Sequence, residues 1–202
     1  LQSNTFEFPF YSDCNLNNNK INLVIAEPNA SMHKNAFVPL CIAENYYHNY
    51  KDNMNKAIVL CGTKIKECKS YNHFSNMFHI FRDSRVELYP RCNFIEVLRQ
   101  LKENTTTLPI IVSHQYLNDL NFIHFETLYL GWPLLHNCPK LKQVGYYYPE
   151  HDVEEGAKVM EHIRLHHNKD IIKYRKEALK FLVKYDPHYN SNVAKYSDIL
   201  DE

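Results

Sequence analysis

Short, dense apolar runs alternate along this chain with longer stretches whose apolar residues return every three to four positions, and that alternation predicts strands separated by helices. INLVIAEPN (Ile21 to Asn29) is a β-branched run closed by Glu-Pro-Asn, so it reads as a buried strand. Lys34 to Tyr50 follows with helical spacing of Phe37, Leu40, Cys41, Ala43 and Tyr47. AIVLCGT (Ala57 to Thr63) repeats the strand pattern, and Lys64 to Met77 gives a weaker helix. FHIFRD (Phe78 to Asp83) and VELYP (Val86 to Pro90) read as further strands, and Asn93 to Asn104 as a helix capped by Asn93. LPIIVSH (Leu108 to His114) is the clearest strand. Beyond it come a helix over Leu120 to Leu130 and strands over Pro133 to His136 and Gly145 to Tyr148. Three helices close the chain: Val153 to His167 opened by Asp152, Asp170 to Tyr185 stopped by Asp186-Pro187, and Val193 to Leu200.

Strands joined through helices call for parallel pairing with both sheet faces covered. The expected architecture is an α/β, Rossmann-like, doubly wound and mostly parallel sheet with C-terminal helices. The first twenty residues lack periodicity and end in an Asn-rich cluster, so 1–19 reads as a linker from a preceding N-terminal domain and 20–202 as the domain itself. A length of 202 residues suits one such core.

Lysine plus arginine equals aspartate plus glutamate at 23 each, which gives no field to favour nucleic acid or an anionic membrane. Six scattered cysteines with no C-x-x-C fit a reducing, cytoplasmic compartment, and no run reaches the ~20 apolar residues of a membrane span. With only four glycines, G-x-G-x-x-G and the phosphate-cradling G-x-x-x-x-G-K-[ST] are both absent, as is the G-x-S-x-G of a nucleophile elbow.

In open α/β sheets ligands bind beyond the carboxyl ends of the strands. The residues there are polar: Glu27, Asn29, Ser31 and Lys34, then Pro90 to Asn93 with Arg91, then Ser113 to Asn121 with His114, Asn118 and Asn121, then His136 and Asn137. Lys34 stands at a helix N-terminus, where free N–H groups and the helix dipole favour an anion. His114, His124 and His136 gather about two neighbouring strands as a polar pocket. His162 and His166 share a helix face at i, i+4, but no third ligand accompanies them and no metal is expected. Glu126 stands in E-x-x-x-x-G-x-P among apolar neighbours; a carboxylate in such a setting requires donors, and sugar hydroxyls would serve.

The strings ETLYLGWPLLHN and KQVGYYYPEHDVEEGA, together with INLVIAEPNASMHKNAFVPLCIAENYY, resemble the donor-binding half of GT-B glycosyltransferases. They are similar in particular to a little-characterised GT-B-like family of bacteria and large DNA viruses, formerly a domain of unknown function. The resemblance covers roughly Lys20 to Leu200. It implies half of a GT-B fold and a UDP- or GDP-sugar as donor, with no obligatory cofactor or metal. It places Glu126 on the donor ribose, Lys34 near the diphosphate, His114 to Asn121 along the diphosphate or sugar, and Pro90 to Phe94 beside the nucleobase. Many retaining relatives carry a second glutamate eight residues before the first, and here that position is Asn118. The acceptor and the N-terminal acceptor domain are implied as partners, and catalytic residues are not assigned. A nucleotide-sugar epimerase of the same fold, or an interaction module without catalysis, are the alternatives.

Overall fold

The computed structural model describes residues 7–12, 20–29, 31, 33–103, 106–118 and 121–200. Six parallel strands form one sheet in the order β3-β2-β1-β4-β5-β6. They are β1 (Ile21–Ile25), β2 (Met54–Val59), β3 (Val86–Leu88), β4 (Leu108–Ser113), β5 (Leu134–His136) and β6 (Tyr146–Tyr147). The chain winds outward from β1 to β3, crosses back, and winds outward again from β4 to β6. This is the Rossmann-like arrangement, with helices on both faces.

Burial explains the strand sequences. Every residue of β4 is buried, as are Ile21, Leu23, Val24 and Ile25 of β1, because these two strands are central and covered on both sides. Their pairing runs in register from Ile21 opposite Leu108 to Ile25 opposite Val112. Pro109 is tolerated in β4 despite lacking an N–H, and the ladder resumes at once with Ile110 beside Leu23.

The helices are α1 (Phe37–Tyr50), α2 (Tyr71–Met77), α3 (His79–Arg82), α4 (Phe94–Glu103), α5 (Phe122–Tyr129), α6 (Val153–Leu182) and α7 (Asn190–Leu200). Two expectations are corrected here. Phe78 to Asp83 is not a strand: His79–Arg82 is a helical turn, held because Glu44 of α1 accepts the backbone N–H groups of His79 and Ile80 at 2.9 and 3.0 Å. The two helices expected over Val153 to His167 and Asp170 to Tyr185 are one 30-residue helix, followed by a 3-10 turn over Val183–Tyr185. Nothing in Asn168-Lys169-Asp170 breaks a helix: Lys169 and Asp170 are exposed on it, and Asn168 Oδ1 accepts from the hydroxyl of buried Tyr11 at 2.5 Å.

Asp152 caps α6 by accepting the Glu155 N–H at 2.9 Å, and Glu154 and Glu155 complement the positive end of the helix dipole. At about 1.5 Å per residue α6 is about 45 Å long, enough to pack on both α1 and α5. Gly156 allows the close approach to α1, since a Cβ there would lie 2.8 Å from Ile42 Cδ1. Farther along, the Tyr174 hydroxyl donates to Trp132 O at 2.8 Å and accepts the Leu134 N–H at 3.2 Å, pinning α6 to the start of β5.

Of the segment expected as linker, 1–6 and 13–19 lie outside the described residues, while 7–12 pack against the domain. Tyr11 is buried edge-on to Trp132 at 5.2 Å, its N–H donates to Leu130 O at 2.9 Å, and Trp132 Nε1–H donates to Pro9 O at 2.7 Å. Among the described residues, no helix is long and apolar enough to cross a membrane.

Gly131 ends α5 with φ of +76°, and a Cβ there would meet Arg175 Nε at 2.5 Å. Both the left-handed backbone and the contact oppose any side chain. Gly131→Ala should therefore lower the unfolding free energy by more than about 1 kcal/mol in urea titration.

Candidate functional site

The strand order reverses between β1 and β4, so the loops leaving these two neighbours diverge and open a crevice at the carboxyl edge of the sheet. The loops are stitched across it. Lys34 and Gln115 form an antiparallel bridge, the Tyr116 N–H donates to His33 O at 3.0 Å, and the His33 and Tyr116 rings stack at 6.0 Å.

Beneath that bridge lies Glu27, only 1 % exposed. Its Oε1 accepts from Ser113 Oγ at 2.7 Å, from Gln115 Nε2 at 2.9 Å and from the His114 N–H at 3.1 Å, and its Oε2 accepts from Gln115 Nε2 at 2.9 Å. The three donor residues are the last residue of β4 and the first two of the loop that leaves it. Burial raises the Glu27 carboxyl to about 7; the hydrogen bonds and the charge of Lys34 oppose that rise without cancelling it. Sequence reasoning placed Glu27 among the strand-exit residues but did not select it. The signal was its position directly behind a largely apolar central strand, where a carboxylate can stay only if the neighbouring strand supplies donors.

A histidine network extends from Ser113. His124 Nε2 lies 2.9 Å from Ser113 Oγ, and its ring is 5.8 Å from that of His136. His136 Nε2 donates to Val144 O at 2.9 Å while its Nδ1 accepts the Cys138 N–H at 3.2 Å, which defines one neutral tautomer. Gly145, at φ of +70°, leaves room for this ring: a Cβ would lie 3.0 Å from it. His114 Nδ1 pairs with the Tyr148 hydroxyl at 2.8 Å, and its ring is 4.7 Å from that of His151. His114 Nε2 and His124 Nδ1 are buried without a hydrogen-bonding partner. Burial lowers His114 and His136 to about 4 and His124 to about 3. Of the three histidines expected to gather, His124 and His136 lie together, while the His114 ring sits with Tyr148 and His151.

The other sequence-selected residues divide by what their polar atoms touch. Asn29, in the left-handed conformation at φ of +53°, donates to Glu27 O at 2.8 Å and accepts the Ala36 N–H at 2.8 Å, tying the β1 exit to the start of α1. Asn137 accepts the Gln115 N–H and donates to Gln115 O, both at 2.9 Å, clasping the β4 loop to the β5 loop. Asn121 caps α5 by accepting the Ile123 N–H at 3.2 Å. With His136, these form the frame of the crevice. Asn118 donates to Gln115 Oε1 at 2.8 Å and lines, with Tyr116, Pro139 and His151, a cavity of about 310 Å³ at the exits of β4 and β5. Lys34 is half-buried, and Arg91 is exposed beyond β3.

Glu126 differs from its sequence expectation. It does not lie in an apolar interior. His124, Thr127 and Leu128 form the buried side of α5, and Glu126 is exposed in a groove of about 470 Å³ with Phe125, Tyr129, Leu179, Leu182 and Tyr185. That groove shares no lining residue with the cavity beside Asn118. His162 and His166 face each other on α6 at 4.6 Å, and among the described residues no three His, Cys, Asp or Glu side chains are grouped to hold a metal.

A family profile for DUF2827, described as a protein of unknown function, matches residues 9–200. The chain belongs to this family. No curated protein matches it. Solved structures match in fold at low identity. An alpha,alpha-trehalose-phosphate synthase (UDP-forming) from Burkholderia vietnamiensis has a TM-score of 0.64 at 10% identity, covering 91% of this chain and 44% of that one. TarM has a TM-score of 0.58 at 14% identity, with 96% and 38% covered. The pneumococcal O-GlcNAc transferase GtfA, in complex with UDP and GlcNAc, has a TM-score of 0.51 at 10% identity, with 94% and 37% covered. The DUF2827 chain therefore spans less than half the length of these structures, and what it shares with these GT-B glycosyltransferases is the Rossmann-like fold.

The buried groups give this fold a pH signature. Buried His167, lowered to about 3, joins His114, His124 and His136 as imidazoles that stay neutral when folded but take protons near 6.5 when unfolded. Their stabilisation is present above about 6.5 and is lost as pH falls toward 4. Glu27 acts oppositely: its raised value makes folding take up a proton, so stability falls as pH rises from about 4.5 to about 7. Four imidazoles outweigh one carboxyl. Calorimetric Tm should climb steeply from about pH 4 and level off above about pH 7.

Proposed function

We propose that this chain is the nucleotide-diphosphate-sugar binding unit of a glycosyltransferase, transferring a sugar from a UDP- or GDP-sugar together with an N-terminal acceptor domain. The observation that carries the reading is the crevice at the β1–β4 reversal, where a half-buried lysine bridges the exit loops of the two central strands. Its support from outside the chain is the fold shared with glycosyltransferases whose descriptions name UDP.

The division of labour follows from where each residue sits around the crevice. Lys34 supplies positive charge for the diphosphate. His114 and Asn118 flank it on the sugar side, and Arg91, beyond β3, lies on the nucleobase side. Asn29, Asn121, His136 and Asn137 act through the loops they fix rather than by direct contact. Charge builds on the nucleoside diphosphate as its bond to the sugar breaks, and a fixed cation with oriented N–H groups stabilises that charge without an obligatory metal. Glu126 is the ribose-binding part of the reading. Being exposed, it is open to hydroxyl donors, and being outside the cavity at β4 and β5 it is tested by its own variant.

Titration calorimetry with UDP, GDP and their sugars decides the matter. Saturable binding by the wild type, weakened at least tenfold in Lys34→Ala, supports the crevice. Glu126→Ala should weaken the same ligands by a further factor on the order of ten if that carboxylate holds the ribose, about the loss of one charge-assisted hydrogen bond. Full retention in Glu126→Ala removes that residue from the site. No binding by any nucleotide leaves a non-catalytic interaction module.

A further inference from the structure

Glu27 is placed unusually for a residue that only holds a loop. It touches no ligand-facing surface, yet every donor on its carboxylate belongs to the β4 exit segment that lines the crevice. The groups facing it are Lys34 from the β1 loop, Ser113, His114 and Gln115 from β4, Tyr148 beyond β6, and His124 of α5 through Ser113. His136 and His151 lie one ring farther out. Lys34 is the one of these that carries a fixed positive charge, and its field reaches both Glu27 and His124.

Two features make this group responsive. The first is a shared cation: an anion that engages Lys34 offsets one of the influences that favour the ionised Glu27, smaller than the hydrogen bonds from Ser113, His114 and Gln115. The second is the Ser113 hydroxyl, lying between Glu27 Oε1 at 2.7 Å and His124 Nε2 at 2.9 Å, with His124 Nδ1 unpartnered. With Glu27 ionised, Ser113 donates to it and His124 Nε2–H donates to Ser113. With Glu27 protonated, the added hydrogen points to Ser113 Oγ, the hydroxyl turns to donate to His124 Nε2, and the imidazole hydrogen moves to Nδ1. One proton enters from solvent and none is lost.

We propose that Glu27 is a proton-coupled positioning residue, taking up a proton from solvent when a diphosphate occupies Lys34 and thereby reorienting the hydrogen bonds of the β4 exit loop. The inference rests on the reading of this crevice as a diphosphate site. It gives the carboxyl's raised value, about 7, a use, since only a group already poised near neutrality responds to a bound anion at that pH.

The test is calorimetry of UDP-glucose and GDP-mannose, whose diphosphate diesters do not titrate near neutrality, in buffers of contrasting ionisation enthalpy. Expected are an uptake of up to one proton per ligand, and an association constant that falls above neutral pH by up to about tenfold per pH unit. In Glu27→Gln, binding should persist while the uptake and the slope disappear. Carbon-13 NMR of the wild-type Glu27 carboxyl, free and bound, gives the same answer without a variant: its titration should move to higher pH with ligand. Binding with no buffer dependence, or a Glu27 resonance indifferent to ligand, overturns this inference alone. Absence of binding by either nucleotide sugar overturns it together with the donor-binding reading.

Discussion

Everything at the candidate site depends on the parallel pairing of β1 with β4. Both strands are almost wholly apolar and covered on both faces, and they pair in register from Ile21 opposite Leu108 to Ile25 opposite Val112, which fixes where their carboxyl ends lie. Because the strand order reverses between β1 and β4, their exit loops part and leave a gap above the two strands. The gap must be closed by side chains and loop backbone. Glu27 closes it from below with acceptors, Gln115 answers with donors, and the Lys34–Gln115 bridge closes it from above.

The resulting polar layer is rigid for an electrostatic reason. Groups that cannot be hydrated must find fixed partners, and here most do: Asn137 saturates the Gln115 backbone, Asn29 the start of α1, and His136 both of its nitrogens. Neutral histidines are the natural choice at such a depth, since each offers one donor and one acceptor without the desolvation cost of a charge. The unpartnered nitrogens are confined to a few positions, among them His114 Nε2 and His124 Nδ1, which flank the Ser113–Glu27 pair.

Much of this was legible in the sequence, and the failures have physical causes. The strands were legible because fully buried parallel strands read as continuous β-branched runs, and the strand exits because polar residues crowd directly behind them. Phe78 to Asp83 misled because aromatic density mimics strand propensity, whereas the segment is helical through tertiary bonds to Glu44 that no local pattern reveals. Glu126 misled because apolar neighbours on a short helix do not say which side faces inward; Phe122, Glu126 and Tyr129 share the outer side. Glu27 was underweighted because Glu-Pro-Asn reads as an ordinary turn, and its meaning depends on residues about ninety positions away.

The zero formal charge of the chain argues against a long-range field but not against a local anion site. What matters at close range is whether a cation is already neutralised by its neighbours. Lys51 and Lys56 are, by Asp83 and Glu87 on the surface. Lys34 has as its nearby acid a carboxyl that burial holds at the threshold of losing its charge. On the proposed reading, an anion arriving at Lys34 would compete with an opponent that can withdraw by taking a proton. On that reading, a cation balanced against a neutralisable acid, rather than an excess of positive residues, is how a chain of this composition would present charge to a diphosphate.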